Sequence, residues 1–395
     1  MQYQLNMTNS ILKIKDKIYI WLISFSLILH VFNNFEIVGI KAFQIPSALV
    51  FLINITNLRK SNLLQRISIL LIIFAIISGI FSPYPEAFAK SITFMVIIGA
   101  CIGIPKINFI YLIRISNILL PISLLYLLIL LRSSIVWRFI GAYNDPNYLC
   151  TTLLVFLFLV LIGFKIFDSK ILKIFLIFEI LIIIILAAAT LSRTGLICIG
   201  ILIIISCWEF IQKFKIYSLF LFLILGIYMY INTPPELIST IDKVTSREDE
   251  HGNLSSAKNL RFAISMRGIT YVISHPQYIP FGMGIGSVGQ WEYFDHYSND
   301  NHIDHNTLSA SFSELGIIGF WLYAYILYLT FSLNRKLPKI DKFRLLRIGT
   351  FFSIFIFSLS INQITYLPFW WTIYLLNNKN LSHEYSTYRR LRKGR

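Results

Sequence analysis

Apolar runs of about twenty residues recur along this chain, separated by short polar breaks. Wound as a helix, a run of that length covers roughly 30 Å, the hydrocarbon thickness of a bilayer. Lipid offers no water to bond backbone groups, so a spanning chain must be helix or closed barrel. The runs therefore predict an all-α integral membrane protein. Charged residues make up 14% of the chain and hydrophobic ones 56%. An average soluble domain carries roughly 25% charged residues, and no segment here is long enough to form one.

Hydropathy gives about twelve transmembrane helices, at 18–34, 37–56, 63–82, 87–104, 108–131, 147–167, 171–190, 194–211, 215–232, 306–332, 345–361 and 364–378. Lysines precede the first run as they would in a secretory leader. The second run follows without a small-residue cleavage site, so the first is expected to be retained. Residues 1–232 thus carry spans one to nine, 233–306 form one large extracytoplasmic loop containing short helices, 307–378 carry the last three spans, and 379–395 form a basic cytoplasmic tail. Spans abut with almost no loop at Ser192 and at Asn362.

Lys and Arg are retained on the cytoplasmic side of a membrane. With both termini cytoplasmic, the inner segments hold 25 of the 35 basic residues, and every expected inner loop is basic. Topology and attraction to anionic lipid account for the net charge of +16. No nucleic-acid partner is implied, since no soluble domain exists to carry a recognition module. Cys101, Cys150, Cys198 and Cys207 lie in or beside apolar runs without CxxC or Cys/His spacing, and read as small hydrophobes.

One connection breaks the pattern. From Thr233 to Asn306, 74 residues, the sequence is polar and punctuated by Pro234, Pro235, Pro276 and Pro280. Loops this long are functional or disordered. The spacing of Leu260, Ile264, Ile269, Val272 and Ile273 predicts an amphipathic helix lying on the membrane surface.

Three arginines and a histidine stand out on the outer face. Arg138 opens the turn-rich stretch that ends Asp145, Pro146, Asn147. Arg193 sits between two tightly joined spans, where a charge is costly unless it faces a cavity or a partner. Arg261 begins the amphipathic stretch, and His305 with Asn306 closes the loop. Arg247 and Arg267 suit a solvated surface, though Arg267 is kept with the substrate-binding candidates. Glu314 lies inside the next span and needs a partner. Nine positions from His305 is about 900° of one straight helix, which would turn the two side chains opposite ways. Glu314 is therefore expected to be the structural counter-charge to an arginine on another span.

Two patterns are set aside. Gly284, Gly286 and Gly289 match GxGxxG by spacing, but no strand precedes them and the side is wrong for dinucleotides, so the stretch reads as a turn. His296, His302, Asp304 and His305 lack any metal-ligand spacing, and no metal or cofactor is expected. Arginine forks bind diphosphate oxygens, and a histidine can take the proton of an attacking hydroxyl. Together these suit glycosyl transfer from a lipid diphosphate, which carries its own leaving group where ATP is absent.

The same residues resemble the motifs of the bacterial O-antigen polymerase and O-antigen ligase superfamily. Arg138 to Asn147 is similar to its R-x-x-G…P-N element, and Ser192-Arg193-Thr194-Gly195 to S-R-[ST]-G. Arg261 with Pro276, Gly282, Gly284 and Gly286 is similar to R…P…G-x-G, and His305-Asn306…Glu314-Leu315-Gly316-Ile317-Ile318-Gly319 to H-N…E-L-G-x-x-G. The order holds over residues 130–330; Ser265 stands where the family often has an aromatic. The resemblance implies a GT-C-like, metal-independent, inverting glycosyltransferase of the inner membrane with a periplasmic active site. It implies His305 as the base or acceptor-orienting group, with Arg193 and Arg261 on the diphosphate. Arg138, Asn147, Asn306 and Arg267 are expected to bind diphosphate or glycan. The implied partners are an undecaprenyl-diphosphate-linked glycan donor, a glycan or lipid A-core acceptor, membrane lipid and a chain-length regulator. Polymerisation of repeat units is favoured by Gly141 to Asn147; ligation to lipid A-core is the alternative. A flippase would leave the long loop unexplained.

Overall fold

Eleven of the twelve expected spans coincide with helices. The computed structural model describes residues 14–37, 40–55, 62–133, 139–143, 145–208, 265–266, 268–287, 306–338 and 341–378. The expected span at 215–232, the tail at 379–395 and most of the long loop lie outside the described residues. The helices, numbered among the described residues, are α1 Ile14–Leu29, α2 Gln44–Ile55, α3 Leu63–Ile80, α4 Pro85–Cys101, α5 Phe109–Ser133, α6 Pro146–Ile166, α7 Lys170–Ala189, α8 Arg193–Ser206, α9 Thr307–Arg335, α10 Arg344–Ser358 and α11 Leu367–Leu376. Among the described residues, six stretches are long and apolar enough to cross a membrane: α3, α4 with its extension to Lys106, α5, α6, α7 and α9.

Two expected spans are shorter than drawn. The run at 37–56 opens as a ribbon, β1 Glu36–Ile37 against β2 Ile40–Lys41, antiparallel with Glu36 facing Lys41. Ile37 and Ile40 favour strand over helix, and the opposed charges add a cross-strand pair. The helix then begins only at Gln44 and covers about 18 Å. The run at 364–378 forms a helix only from Leu367 to Leu376, all ten residues buried, with Pro368 in the first turn.

α6 is the axis of the bundle. From Pro146 to Ile166 all residues but Tyr148, Phe164 and Lys165 are buried, and α5, α7, α8, α10 and α11 pack around it. One end of the bundle gathers the starts of α4, α6, α8, α9 and α11 with the ends of α1, α3, α7 and α10. Hydrogen bonds fix this grouping: Ser78 on α3 donates to the Glu314 carbonyl, Ser192 to Asn147, and Thr307 to the Ile361 carbonyl. At the opposite end Asn378 donates to the carbonyls of Ile104 and Ile107, and Lys165 to that of Lys342.

α9 is broken at Gly316, where φ is 69° and ψ −174°. In an unbroken helix the amide of Ile317 would bond the carbonyl of Ser313. Instead it donates to the carbonyl of Ile279 at 2.8 Å. The freed carbonyl of Ser313 accepts from the Met283 amide and that of Glu314 from the Gly284 amide, both at 2.9 Å. A stretch of the long loop thus lies in the break like a strand. Met283 also gives its carbonyl to Ser82 Oγ at 2.5 Å, pinning the loop to the turn between α3 and α4. Val272, Met283, Tyr84 and Ala87 form a small apolar cluster beneath it. The described part of the expected amphipathic helix covers 265–266 and 268–274: Val272 is buried but Ile273 is 58% exposed, because one residue turns a helix by about 100°. Ile273 is thus not on the buried face.

Gly316 and Gly282 are held back to back. A Cβ on Gly316 would stand 2.5 Å from backbone atoms of Pro280, Phe281 and Gly282, and its dihedrals are open to glycine alone. Gly316→Ala is expected to destabilise the protein by at least about 1–3 kcal/mol, the cost of the strained backbone, read as a drop in melting temperature in detergent. Gly200→Ala, inside α8 where an added Cβ meets nothing within 4 Å, is expected to keep or raise it, since alanine is the better helix former.

Candidate functional site

Asp145 starts the site by capping α6, its carboxylate accepting from the Asn147 amide at 2.6 Å. Pro146 at the first helical position loses no hydrogen bond there. Asn147 is buried, and its Oδ1 accepts from Ser192 Oγ at 2.5 Å. Ser192 in turn caps α8 by accepting from the Gly195 amide at 3.1 Å. A single hydroxyl therefore joins two segments 45 residues apart. The turn that presents it is tight: Leu191 has φ 51°, and Ser192 N donates to Thr190 Oγ1. Gly195 is required by proximity, since a Cβ there would lie 2.3 Å from Cys150 Sγ. Phe139, the residue after Arg138, donates to the Ala189 carbonyl at 3.0 Å, bringing the connection before α6 to the same turn.

Arg193 is the first residue of α8 and is exposed. A cation at a helix N-terminus opposes the helix dipole, so the position does not serve helix stability. The helix N-terminus and the Arg193 guanidinium are both positive, a pairing that suits an anion, and the Asp145 and Glu314 carboxylates lie at the same end.

The connection between α10 and α11 is the hub of the same end. Thr307 Oγ1 donates to the Ile361 carbonyl at 2.7 Å and accepts from the Gln363 amide at 3.0 Å. Gln363 Nε2 donates to Thr151 on α6 at 3.1 Å, and Tyr148 OH to the Asn362 carbonyl at 2.5 Å. Asn362 Nδ2 donates to Glu314 Oε1 at 3.5 Å. One partner of the buried Glu314 carboxylate is thus a side-chain amide on another helix connection. Asn306 caps α9 through its Oδ1, which accepts from the Leu308 amide at 2.9 Å. Because α9 starts at Thr307, the angular comparison that ran one straight helix through His305 to Glu314 does not apply.

The connection to α6 adds Tyr143, wholly buried, whose hydroxyl pKa burial pushes up while its bond to Thr152 opposes the rise. Lys41, half-buried on β2, donates to Asn33 Oδ1 at 3.1 Å; burial lowers its pKa and Glu36 raises it.

Of the expected site residues, the structure brings together Asn147, Arg193, Asn306 and Glu314 at one end of the bundle. Arg138, Arg261, Arg267 and His305 lie outside the described residues, as do His296, His302 and Asp304. Asn362 and Gln363 went unread in the sequence. Their signal was a polar pair between two apolar runs, noted only as a short connection.

A family described as O-antigen ligase matches residues 178–324. That match supports the O-antigen ligase and polymerase superfamily. No curated protein matches the chain at a significant level. The superfamily indicates ligase- or polymerase-type activity, and the six long apolar helices agree with a multi-pass membrane protein. The matched stretch takes in Ser192 to Gly195, the loop and Glu314. Asn147 precedes it and Asn362 follows it, and each is hydrogen-bonded to a residue of the matched stretch.

Ser192→Ala removes the donor to Asn147 and the acceptor of the Gly195 amide, both buried. The expected loss is about 1–3 kcal/mol for groups left unsatisfied, measured by thermal unfolding in detergent. An unchanged melting temperature would show that the junction contributes nothing.

Proposed function

We propose that this protein transfers glycan from an undecaprenyl-diphosphate carrier at the extracytoplasmic face of the inner membrane, polymerising O-antigen or capsule-type repeat units. The observation that carries the reading is the Ser192 to Asn147 hydrogen bond, with Arg193 exposed beside it. It joins the P-N and S-R-T-G elements at the end of the bundle where Asn306 and Glu314 also lie.

In this reading an acceptor hydroxyl attacks the anomeric carbon of the donor, and His305, the neighbour of Asn306, takes its proton. The bond from the anomeric carbon to the diphosphate oxygen breaks with inversion. Arg193 and Arg261 stabilise the charge that develops on the departing polyprenyl diphosphate, while Arg138, Asn147, Asn306 and Arg267 bind donor or glycan. Glu314, held by Asn362, balances the arginines. No metal takes part. About twelve spans in a GT-C-like arrangement, with both termini cytoplasmic, complete the proposal. Its support is the placement of Lys165, Lys170, Arg335, Lys336 and Lys342 at the end opposite Arg193.

Transfer of the finished glycan to lipid A-core is a second reading, favoured by the description of the matching family as ligase. A deletion strain separates the two. Single repeats on lipid A-core indicate a polymerase, and complete chains stranded on the carrier indicate a ligase.

In a reconstituted assay with the lipid-linked donor, His305→Ala is expected to lower kcat by roughly 10²- to 10⁴-fold, the range of general-base catalysis. Full activity would remove His305 from the mechanism. Arg193→Lys is expected to lose much of the activity lost in Arg193→Ala, because an ammonium cannot reproduce the bidentate fork. Full rescue by lysine would reduce the role to a point charge.

A further inference from the structure

His30 belongs to none of the motifs that carry the proposed function and lies outside the family match. It follows α1 in a short 3₁₀ turn, His30–Phe32, and is 3% exposed. Its ring packs against Phe43 at 4.6 Å and edge-on to Tyr366 at 4.8 Å. Nδ1 lies 3.1 Å from Tyr143 OH, which donates to the His30 carbonyl at 3.1 Å. Tyr143 OH is also 3.1 Å from Thr152 Oγ1, which is 2.5 Å from Tyr366 OH. Tyr366 OH donates to the Tyr148 carbonyl at 2.5 Å, and Tyr148 OH to the Asn362 carbonyl at 2.5 Å.

Each hydroxyl has one proton to give. Tyr143 gives its proton to His30 O and Tyr366 gives its own to Tyr148 O. Thr152 Oγ1 lies within hydrogen-bond distance of the Tyr148 carbonyl at 3.3 Å as well as of both tyrosine hydroxyls. With the Tyr143 proton on the His30 carbonyl, the Tyr143 oxygen accepts from His30 Nδ1–H, the tautomer this arrangement favours. Four separate segments meet in it: the end of α1, the connection before α6, the first turns of α6, and the connection between α10 and α11. The last two hold Asn147 and the Asn362 amide that bonds Glu314.

We propose that His30 is a positioning residue for glycosyl transfer: its Nδ1–H orients Tyr143, and through Thr152 and Tyr366 fixes the first turn of α6 against Asn362. This rests on the functional reading above. Packing alone would be satisfied by any ring among Phe43, Tyr143 and Tyr366, whereas positioning needs the donor. A matched pair of variants separates the two. His30→Phe keeps a ring and loses the donor; His30→Asn keeps a donor near Nδ1 and loses the ring.

The test is steady-state transfer by the full-length reconstituted chain on lipid-linked donor, with melting temperatures measured alongside. His30→Phe is expected to lower kcat roughly 10- to 100-fold, the cost of a small misplacement, with the donor KM within about twofold. His30→Asn is expected to recover most of kcat despite a lower melting temperature. Tyr143→Phe should match His30→Phe, and the double variant should be no worse than either. Wild-type kcat in His30→Phe overturns the proposal, as does kcat that follows melting temperature across both variants. A wild-type chain that transfers no glycan removes the functional reading and the positioning role together. Equal kcat in wild type and His30→Phe removes the positioning role alone.

Discussion

The backbone exchange at Gly316 holds the architecture of the site end together. A helix that breaks among apolar neighbours strands carbonyls and amides where no water reaches, at several kcal/mol each. Here the loop over 279–284 supplies the missing partners: Met283 and Gly284 amides for Ser313 and Glu314, and the Ile279 carbonyl for Ile317. The break and the loop are therefore conditional on each other. Gly282 and Gly316 are where two backbones touch, and Glu314 owes the direction of its carboxylate to the turn of helix that ends at that contact.

On the other side of the site the same economy is achieved with side chains. Ser192 and Thr307 each both donate and accept, and Gln363 donates to Thr151 while accepting from Ser358, so that connections are tied to neighbouring helices. Such short bonds in a water-poor setting fix geometry more firmly than they would at a wet surface. Arg193 follows this junction as the first residue of α8, so its backbone is fixed while its side chain is exposed.

The helices were legible because apolar run length reports on them directly, and the boundaries of α3, α5, α6 and α7 fall within a few residues of expectation. The ribbon at Glu36 to Lys41 was not, because a continuous apolar reading cannot tell Ile37 and Ile40 in strand from the same residues in helix. The S-R-T-G and E-L-G stretches were legible as motifs, but the motif said nothing of the broken helix, which depends on a loop some thirty residues away. Asn362 and Gln363 were invisible for a different reason. A polar pair between apolar runs looks like any connection until the fold brings Thr151, Thr307, Tyr148 and Glu314 around it. His30 is the extreme case: a lone histidine in an apolar run gives no sign of four segments converging on it.

The near-complete burial of α6 sets the frame in which Asn147 sits. Helices that face lipid, such as α7 with Ile171, Phe178, Leu181 and Ile185 exposed, tilt and shift as bilayer thickness changes. α6 is referenced to protein on all sides, so that adjustment is taken up by the outer helices. Asn147 keeps its depth relative to Ser192 and Gln363 while the surrounding membrane varies. A ligand reaching that end from thick or thin bilayer would then meet the same constellation of groups.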